Sequence, residues 1–308
     1  MTTKLKELYL CFMGKNIQLI RFDWAIKKLL RNKANFGILE GFLSELLSED
    51  IKIRQILDSE SNKDSDNDKH NRVDILVENN KGELVIIEVQ NSKEYDYFHR
   101  ILYGTSKAIT EHIYEGAAYA KIKKIISITI AYFDLGQGAD YVYHGVNQFK
   151  GIHNGDVLSL AAKQKELYNK KEVHEIFPEY WLIKVGQFHD RIQDKLDEWI
   201  FFLKNGEVKD SFTAKGLTEA KKTLDKMKLT EEERKEYQSY LRKLMDIASE
   251  QHTKMADAED LIKKEIEKKE IEAVLGLHRN KIAIPVIADA LNVTVERVCQ
   301  IIEKQEDK

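Results

Sequence analysis

The chain has little cysteine, little proline and no long apolar run. Its two cysteines, Cys11 and Cys299, lie near opposite ends, so they form neither a zinc-binding pair nor a disulfide framework. No stretch approaches the roughly 20 apolar residues of a membrane span. The N-terminal Lys and apolar run lack a small-residue cleavage site. These absences predict a cytoplasmic protein that does not bind membranes.

Neither positive nor negative charge predominates in the sequence. The formal net charge of the 308 residues is −3, which neither marks a nucleic-acid binder nor excludes one, because local patches decide such binding. The sequence contains no Gly-rich phosphate loop and no nucleophile motif, so nothing supports a small-molecule enzyme. The two prolines, Pro178 and Pro285, leave room for long helices in the second half.

The most informative stretch is 72–90, RVDILVENNKGELVIIEVQ. Two apolar runs, Val73–Val77 and Leu84–Val89, flank a polar tract that contains Asn79, Asn80 and Gly82. These are hairpin-turn residues, so the pattern predicts two adjacent strands joined by a tight turn.

Acidic residues interrupt this apolar hairpin. Asp74 is expected inside the first strand, and Glu88 and Gln90 near the end of the second, where residues two apart share a face. A buried carboxylate needs a partner. One candidate is a divalent cation, since carboxylates, a carbonyl and water suit Mg²⁺ or Mn²⁺. The alternative is that Arg72 pairs with one acid and Glu88 marks an exposed strand end.

The elements around the hairpin predict an α/β fold. Residues 22–49 have helical spacing with a break near Asn32–Asn35, and Glu40 lies at the edge of the apolar stripe, either as a functional acid or as a solvated residue. Residues 51–57 predict a first strand, and the polar stretch 58–71 predicts a loop without the spacing of a calcium-binding loop. Strands are also expected within 122–133, 140–152 and 172–188. This order predicts a mixed sheet flanked by helices.

Residues 92–120 predict a long helix with Ser92 as its N-cap. Arg100 lies on its apolar stripe, and an arginine there must find a partner. Two partners are open: a carboxylate of the site or a phosphate of a substrate.

The region after Arg191 is predicted to be mostly helical, with a helix ending at Gly206 and another opening at Thr230. In the final segment, helices around Ile284–Leu291 and from Val295 to Glu303 have helix-turn-helix spacing, with Thr294 as N-cap. In nucleic-acid binders the second helix enters the major groove, and Arg297 and Gln300 are the candidate contacts here. A small helical interaction module is the alternative.

In the same order, FDWAIKKLL, NFGILEGFLSELL, RVDILV, VIIEVQ and the helix with Arg100 and Tyr103 make the chain resemble a known family. It is the Rpn (recombination-promoting nuclease) or transposase-like family of the PD-(D/E)XK nuclease superfamily. The resemblance covers roughly Phe22 to Phe133 and implies a nuclease-like mixed sheet with a mostly helical C-terminal region.

The resemblance also implies roles for individual residues. Asp74, Glu88, the Val89 carbonyl and Glu40 are expected to hold Mg²⁺, with Mn²⁺ as an alternative, and Glu45 replaces Glu40 if the helix register differs. Gln90 stands where the superfamily more often has lysine, so it can orient a water but adds no charge. Arg100 and Tyr103 match the helix that follows the E-x-Q motif, and they are the expected DNA contacts of this domain.

Together these features predict a metal-dependent DNA endonuclease, linked to recombination or mobile elements. The second hypothesis is a nuclease-fold protein that only binds DNA or protein. A homodimer is an expectation for cutting both strands. The expected divisions are 20–190 for the nuclease-like domain, 191–275 for a helical extension and 276–308 for the helix-turn-helix-like tail.

Overall fold

A computed structural model describes residues 24–25, 33–57, 74–91, 93–113, 118–225 and 229–306. Several predictions fall outside these ranges: most of the helix expected over 22–30, the loop 58–71, the alternative role of Arg72 and the Ser92 N-cap. Within the first of them, only Trp24 and Ala25 are described, and both are helical and buried.

The described residues contain one mixed sheet, as predicted. The strands are β1 (Ile53–Leu57), β2 (Ile75–Asn79), β3 (Leu84–Gln90), β4 (Ile125–Ala131), β5 (Val142–Gly145) and β6 (Glu179–Lys184). Their spatial order is β1-β2-β3-β4-β6-β5. Strand β3 pairs in parallel with β4, β4 pairs in parallel with β6, and the remaining pairs are antiparallel.

The predicted hairpin between β2 and β3 is present, and its turn follows from local chemistry. The Asn79 side-chain oxygen accepts hydrogen bonds from the backbone N–H groups of Lys81 and Glu83, at 3.0 and 2.9 Å. Gly82 adopts φ +77°, a left-handed conformation that glycine tolerates without steric cost. These residues set the register in which Ile75 faces Ile87.

Helices pack on the sheet and against one another. Helix α1 (Phe36–Leu47) packs against α4 (Lys195–Asn205) and α5 (Leu217–Thr223), while α2 (Tyr97–Glu111) packs on β4. Ala108 of α2 lies in one cluster with Leu84 and Ile86, which places α2 on the sheet face shared by Leu84, Ile86 and Glu88. A short helix, α3 (Ala162–Tyr168), lies between β5 and β6 in the chain.

Helix α2 is shorter than predicted at both ends. It begins after Asp96 rather than at Ser92 and ends at Glu111, and a separate 3-10 turn spans Tyr119–Lys121. At the N-terminal side, Glu94 accepts hydrogen bonds from Gln90 before it and from Arg100 after it. Residues 93–96 are non-helical, and Glu94 ties this segment to the end of β3 and to α2.

The predicted helix ends in the second half are confirmed. Gly206 follows α4 with φ +62°. Thr230 precedes α6 (Glu231–Arg279) in a reciprocal capping box, in which Glu233 N–H donates to Thr230 Oγ1 at 3.2 Å and Thr230 N–H donates to Glu233 Oε2 at 2.8 Å. The helix that Thr230 opens continues as one element to Arg279.

The helix-turn-helix spacing of the tail is confirmed as well. Helices α7 (Ile284–Leu291) and α8 (Val295–Glu306) flank a turn in which Asn292 has φ +54°. Thr294 Oγ1 accepts from the Arg297 N–H at 3.2 Å, as expected for an N-cap. The buried side chains that join α7, α8 and the end of α6 are Val274, Ile287, Ala288, Val298, Ile301 and Ile302.

The chain divides into two compact units, Met1–Arg234 and Lys235–Lys308. The three-part division at 190 and 275 remains a prediction about folding units. In the ranges that the structure describes, no helix has the length and apolarity needed to cross a membrane.

Candidate active site

Asp74 lies directly before β2, not inside it as the sequence predicted. Its Oδ2 accepts a hydrogen bond from the backbone N–H of Val89 at 2.7 Å. The carboxylate therefore satisfies a donor that regular strand pairing would otherwise satisfy, and the regular ladder starts one residue later, at Ile75. The contact holds Asp74 beside the end of β3 that carries Glu88.

Glu88 is a buried acid on β3, with 7% of its surface exposed. Its Oε2 accepts a hydrogen bond from the Tyr97 hydroxyl at 3.1 Å. Burial raises the pKa of Glu88 above its usual value, and nearby Asp74 and Glu94 raise it further, against the opposing effects of Arg100 and Tyr97. In turn, burial and the Glu88 carboxylate raise the pKa of the Tyr97 hydroxyl.

Gln90, the last residue of β3, is joined to Arg100 through a third acid. Gln90 Nε2 donates to Glu94 Oε1 at 2.7 Å, and Arg100 Nη1 donates to both Glu94 oxygens at 3.1 and 3.2 Å. Glu94 thus binds Gln90, which was predicted to orient a water, and Arg100, for which a phosphate was one of two predicted partners.

Arg100 meets a carboxylate, one of the two partners left open by the sequence. Burial lowers the pKa of its guanidinium, but Glu88 and Glu94 outweigh this effect and raise it. The guanidinium also lies over the Tyr97 ring, 5.7 Å from its centroid. Tyr103, one turn later on α2, is 43% exposed.

Glu40 is buried rather than solvated, and it is engaged elsewhere. Its two oxygens accept from Lys52 Nζ at 3.0 Å and from the Ile53 N–H at 2.9 Å. Ile53 pairs with Asn79 at the turn end of the hairpin, whereas Asp74 precedes the other end of β2. The structure therefore does not bring Glu40 together with Asp74 and Glu88.

The fallback residue Glu45 lies on the same helix and accepts from the Lys215 N–H at 3.0 Å. This contact ties α1 to the segment before α5. The role of either acid as a metal ligand stays a prediction.

The acids that the structure does bring together suit a hard divalent cation. Asp74 and Glu88 offer carboxylate oxygens, and the Val89 backbone carbonyl is an oxygen donor of the kind Mg²⁺ accepts. Within the described ranges, no group of three or more acidic, histidine or cysteine side chains could hold a metal ion. The donor set available at this end of the hairpin is accordingly two acids plus backbone and water.

The predicted contacts of the tail lie in the second unit. Arg297 donates to Glu270 Oε1 at 2.8 Å and to Glu267 Oε1 at 3.1 Å, so its guanidinium ties α8 to α6. Gln300 is exposed on α8.

Sequence reasoning missed two residues. The first is Glu94, which stands four residues after Gln90 and could have been found as a charged residue beside the E-x-Q motif. The second is Lys184, which ends β6 and is 1% exposed. Its signal was a lone lysine within the apolar run WLIKV.

Comparison with known families gives one match. Residues 20–254 match the family described as PD-(D/E)XK nuclease family transposase. Neither a curated protein nor a solved structure matches the chain. The matched range contains the whole sheet and the hairpin with Asp74, Glu88 and Gln90, and it covers well over half of the chain. The chain therefore belongs to the family described as PD-(D/E)XK nuclease family transposase.

Proposed function

We propose that this protein is a metal-dependent DNA endonuclease that hydrolyses phosphodiester bonds at Asp74 and Glu88. The observation that carries the proposal is the state of Glu88. It is a buried acid beside a second acid, and in the part of the chain that the structure describes no lysine or arginine forms an ion pair with it. A divalent cation would supply the missing positive charge.

Glu78, on the same hairpin, is the internal comparison. It is equally buried, but Arg54 and Lys123 form ion pairs with it at 3.3 and 3.0 Å, and Gln55 donates a hydrogen bond. Burial raises the pKa of Glu78, but these partners outweigh it and lower the pKa overall. The fold thus neutralises one buried acid with ion pairs and leaves the other with a hydrogen bond from Tyr97 and the more distant charge of Arg100, whose guanidinium pairs with Glu94.

In the proposed site, Asp74, Glu88 and the Val89 carbonyl hold Mg²⁺ or Mn²⁺. Such an ion polarises a phosphate oxygen and lowers the pKa of a bound water. Tyr97 orients the Glu88 carboxylate by its hydrogen bond. Gln90 positions the attacking water, and Arg100 and Tyr103 face the phosphate backbone.

Glu94 adds a condition to these roles. Gln90 and Arg100 both bind Glu94 in this structure, so each must release that carboxylate before it contacts water or phosphate. A phosphate is a strong competitor for Arg100, because guanidinium groups bind phosphate and carboxylate with the same planar geometry.

The test uses supercoiled plasmid incubated with the purified chain in Mg²⁺, Mn²⁺, Ca²⁺ or EDTA. We expect nicking or linearisation in Mg²⁺ or Mn²⁺ and none in EDTA. Asp74→Ala, prepared identically, should abolish cleavage and leave DNA binding largely intact. Cleavage retained by that variant would remove the site assignment.

The second candidate is a nuclease-fold protein that binds DNA or a protein partner without cutting. Gln90, which brings no charge, and the occupation of Arg100 by Glu94 favour it. Metal binding separates the two candidates, because a formed site raises the melting temperature by mass action. No shift in Mg²⁺ or Mn²⁺, with the same result for Glu88→Ala, would favour binding alone.

Further parts of the proposal rest on the sequence. Arg297 and Gln300 are proposed to contact DNA, a homodimer is proposed for cutting both strands, and the cytoplasm is the proposed location. A link to recombination or mobile elements is supported by the transposase description of the family.

A further inference from the structure

Lys184 has an ammonium group that the fold leaves without a hydrogen bond. The residue is 1% exposed, and among the described residues its Nζ is one of two buried side-chain atoms that lack a hydrogen-bond partner. The other is Oε1 of Gln187, three residues later. Both therefore lie where β6 ends.

An aromatic ring lies beside the ammonium group of Lys184. The ammonium lies over the Tyr143 ring, 5.5 Å from its centroid. A cation–π contact compensates only part of the cost of removing a charge from water. By contrast, Lys124, a partly buried lysine directly before β4, forms an ion pair with Glu179. Among the described residues, Lys184 has no such carboxylate partner.

Sheet register places Lys184 in one row with Gln90. Gln90 pairs with Ala131, and Ala131 pairs with Lys184, each being the last residue of its parallel strand. Two strand spacings separate Gln90 from Lys184, about 10 Å between Cα atoms. The residue between them is alanine, whose short side chain packs with Tyr97, Ile101 and Leu135.

The same row lies on the face of the sheet that carries Glu88. Ala131 is in one cluster with Tyr97 and Ile101, and Tyr180 and Leu182 pack against that cluster. Residues two apart on a strand share a face, so Lys184 points to the side of Leu182, where Tyr97 binds Glu88. The carboxyl ends of parallel strands are also where α/β sheets bind ligands.

We propose that Lys184 binds a non-bridging phosphate oxygen of the substrate and supplies the positive charge that Gln90 lacks. The lysine has four rotatable side-chain bonds, which let its ammonium turn from Tyr143 along the strand ends toward Gln90. This inference rests on the proposed nuclease function.

The experiment compares the wild type with Lys184→Met, Lys184→Arg, the double variant Lys184→Met/Gln90→Lys and the control Lys124→Met. Plasmid cleavage in Mg²⁺ and the melting temperature in EDTA are measured for each. We expect Lys184→Met to cleave about 100-fold more slowly, the loss typical of removing one group that stabilises charge in a transition state. Its melting temperature should stay equal or rise, because an unpaired buried charge is replaced by an apolar side chain of similar length.

The double variant carries the decisive readout. If Lys184 serves the phosphate, Gln90→Lys returns a charge to the same row and should restore cleavage at least tenfold, and Lys184→Arg should retain more activity than Lys184→Met. A purely structural lysine predicts the reverse: a lower melting temperature for Lys184→Met and no rescue by Gln90→Lys. Lys124→Met is the matched control and should lower the melting temperature, because it removes the lysine of the Lys124–Glu179 ion pair and leaves the Glu179 carboxylate with only His144 and Trp181.

Failure of this inference is distinguishable from failure of the nuclease proposal. If the wild type cleaves and Lys184→Met cleaves equally well, the inference is overturned and the nuclease stands. If the wild type cleaves under no condition, affinity for a short DNA duplex in Ca²⁺ decides. Weaker binding by Lys184→Met with a shallower salt dependence then supports a phosphate contact, and equal binding overturns it.

Discussion

The carboxylate of Asp74 accepts a hydrogen bond from the backbone N–H of Val89 at 2.7 Å, so the side chain proposed as a metal ligand also closes the end of the hairpin. Substitution can separate the two roles. Asparagine keeps an acceptor for Val89 and removes the charge, whereas alanine removes both.

We therefore expect Asp74→Asn to unfold in EDTA with nearly the wild-type free energy. Asp74→Ala should lose about 1 kcal/mol, the usual worth of one hydrogen bond. Both variants should lose the Mg²⁺-dependent rise in melting temperature. Urea denaturation and melting curves with and without Mg²⁺ measure these effects, and Asp210→Ala, at a side chain 98% exposed, is the control. A Mg²⁺-dependent rise that persists in Asp74→Asn would exclude Asp74 as a ligand.

Glu88 predicts a pH dependence of stability. Its pKa is raised above its ordinary value of 4.5 in the folded protein, so in the window between the two values the folded state holds the proton more tightly than the unfolded chain. Stability from this group is therefore lost as pH rises through the window. Glu88→Gln keeps an acceptor for Tyr97 and does not titrate.

In EDTA, the free energy of unfolding of Glu88→Gln should exceed that of the wild type at pH 8 and approach it at pH 4. Urea denaturation across this range is the measurement. Glu207→Gln, at an exposed position, should show no such trend. If the free energy of unfolding of Glu88→Gln exceeds that of the wild type by the same amount at every pH, burial does not raise the pKa of Glu88.

Removal of the Glu94 carboxylate is expected to increase the affinity of the protein for DNA. Glu94→Ala frees Gln90 and Arg100 and takes one negative charge from the site. We expect binding of a DNA duplex in Ca²⁺ to tighten about fivefold, or about 1 kcal/mol. Fluorescence anisotropy measures it, and Glu111→Ala, which breaks the Lys107 pair at the other end of α2, is the matched control. Unchanged or weaker binding by Glu94→Ala alone would mean that Arg100 does not reach DNA.

Substitution of Gly41 by a residue with a side chain is expected to destabilise the protein strongly. A Cβ at this position on α1 would overlap the backbone carbonyl oxygen of Lys215 and press on Gly216. Gly41→Ala should cost about 3 kcal/mol or more, since backbone must move. Gly276, on α6, has no described atom within 4 Å of an added Cβ, so Gly276→Ala should stabilise by about 0.5–1 kcal/mol. Thermal denaturation compares the two, and equal effects would contradict the close contact between α1 and the segment before α5.

Substitution of Arg297 should change stability, whereas substitution of Gln300 should change DNA binding. Arg297→Ala breaks the contacts with Glu267 and Glu270 and should lower the stability of the second unit. Gln300→Ala should leave stability unchanged and weaken DNA binding if α8 enters the major groove. Melting curves and duplex binding distinguish these effects. Wild-type binding by Gln300→Ala would favour an interaction module.

Local features of this protein were determined by the sequence itself. The Asn79–Gly82 turn, the Thr230 and Thr294 caps and the glycine end of α4 each depend on residues within a few positions of one another. Hydrophobic periodicity extends only over single elements, and it was sufficient to predict the mixed sheet and the tail helices. The ordered motifs identified the family that the chain matches.

Only the tertiary structure decided which side chains meet. Glu40 turned to Ile53 because α1 lies beside the turn end of the hairpin. Lys184 came into the row of Gln90 because β4 and β6 pair in parallel, which joins residues more than 90 positions apart. Such contacts depend on strand order and register, and no local spacing encodes them. Burial then changed the chemistry, because a carboxylate or ammonium group out of water takes its properties from whatever partner the fold supplies.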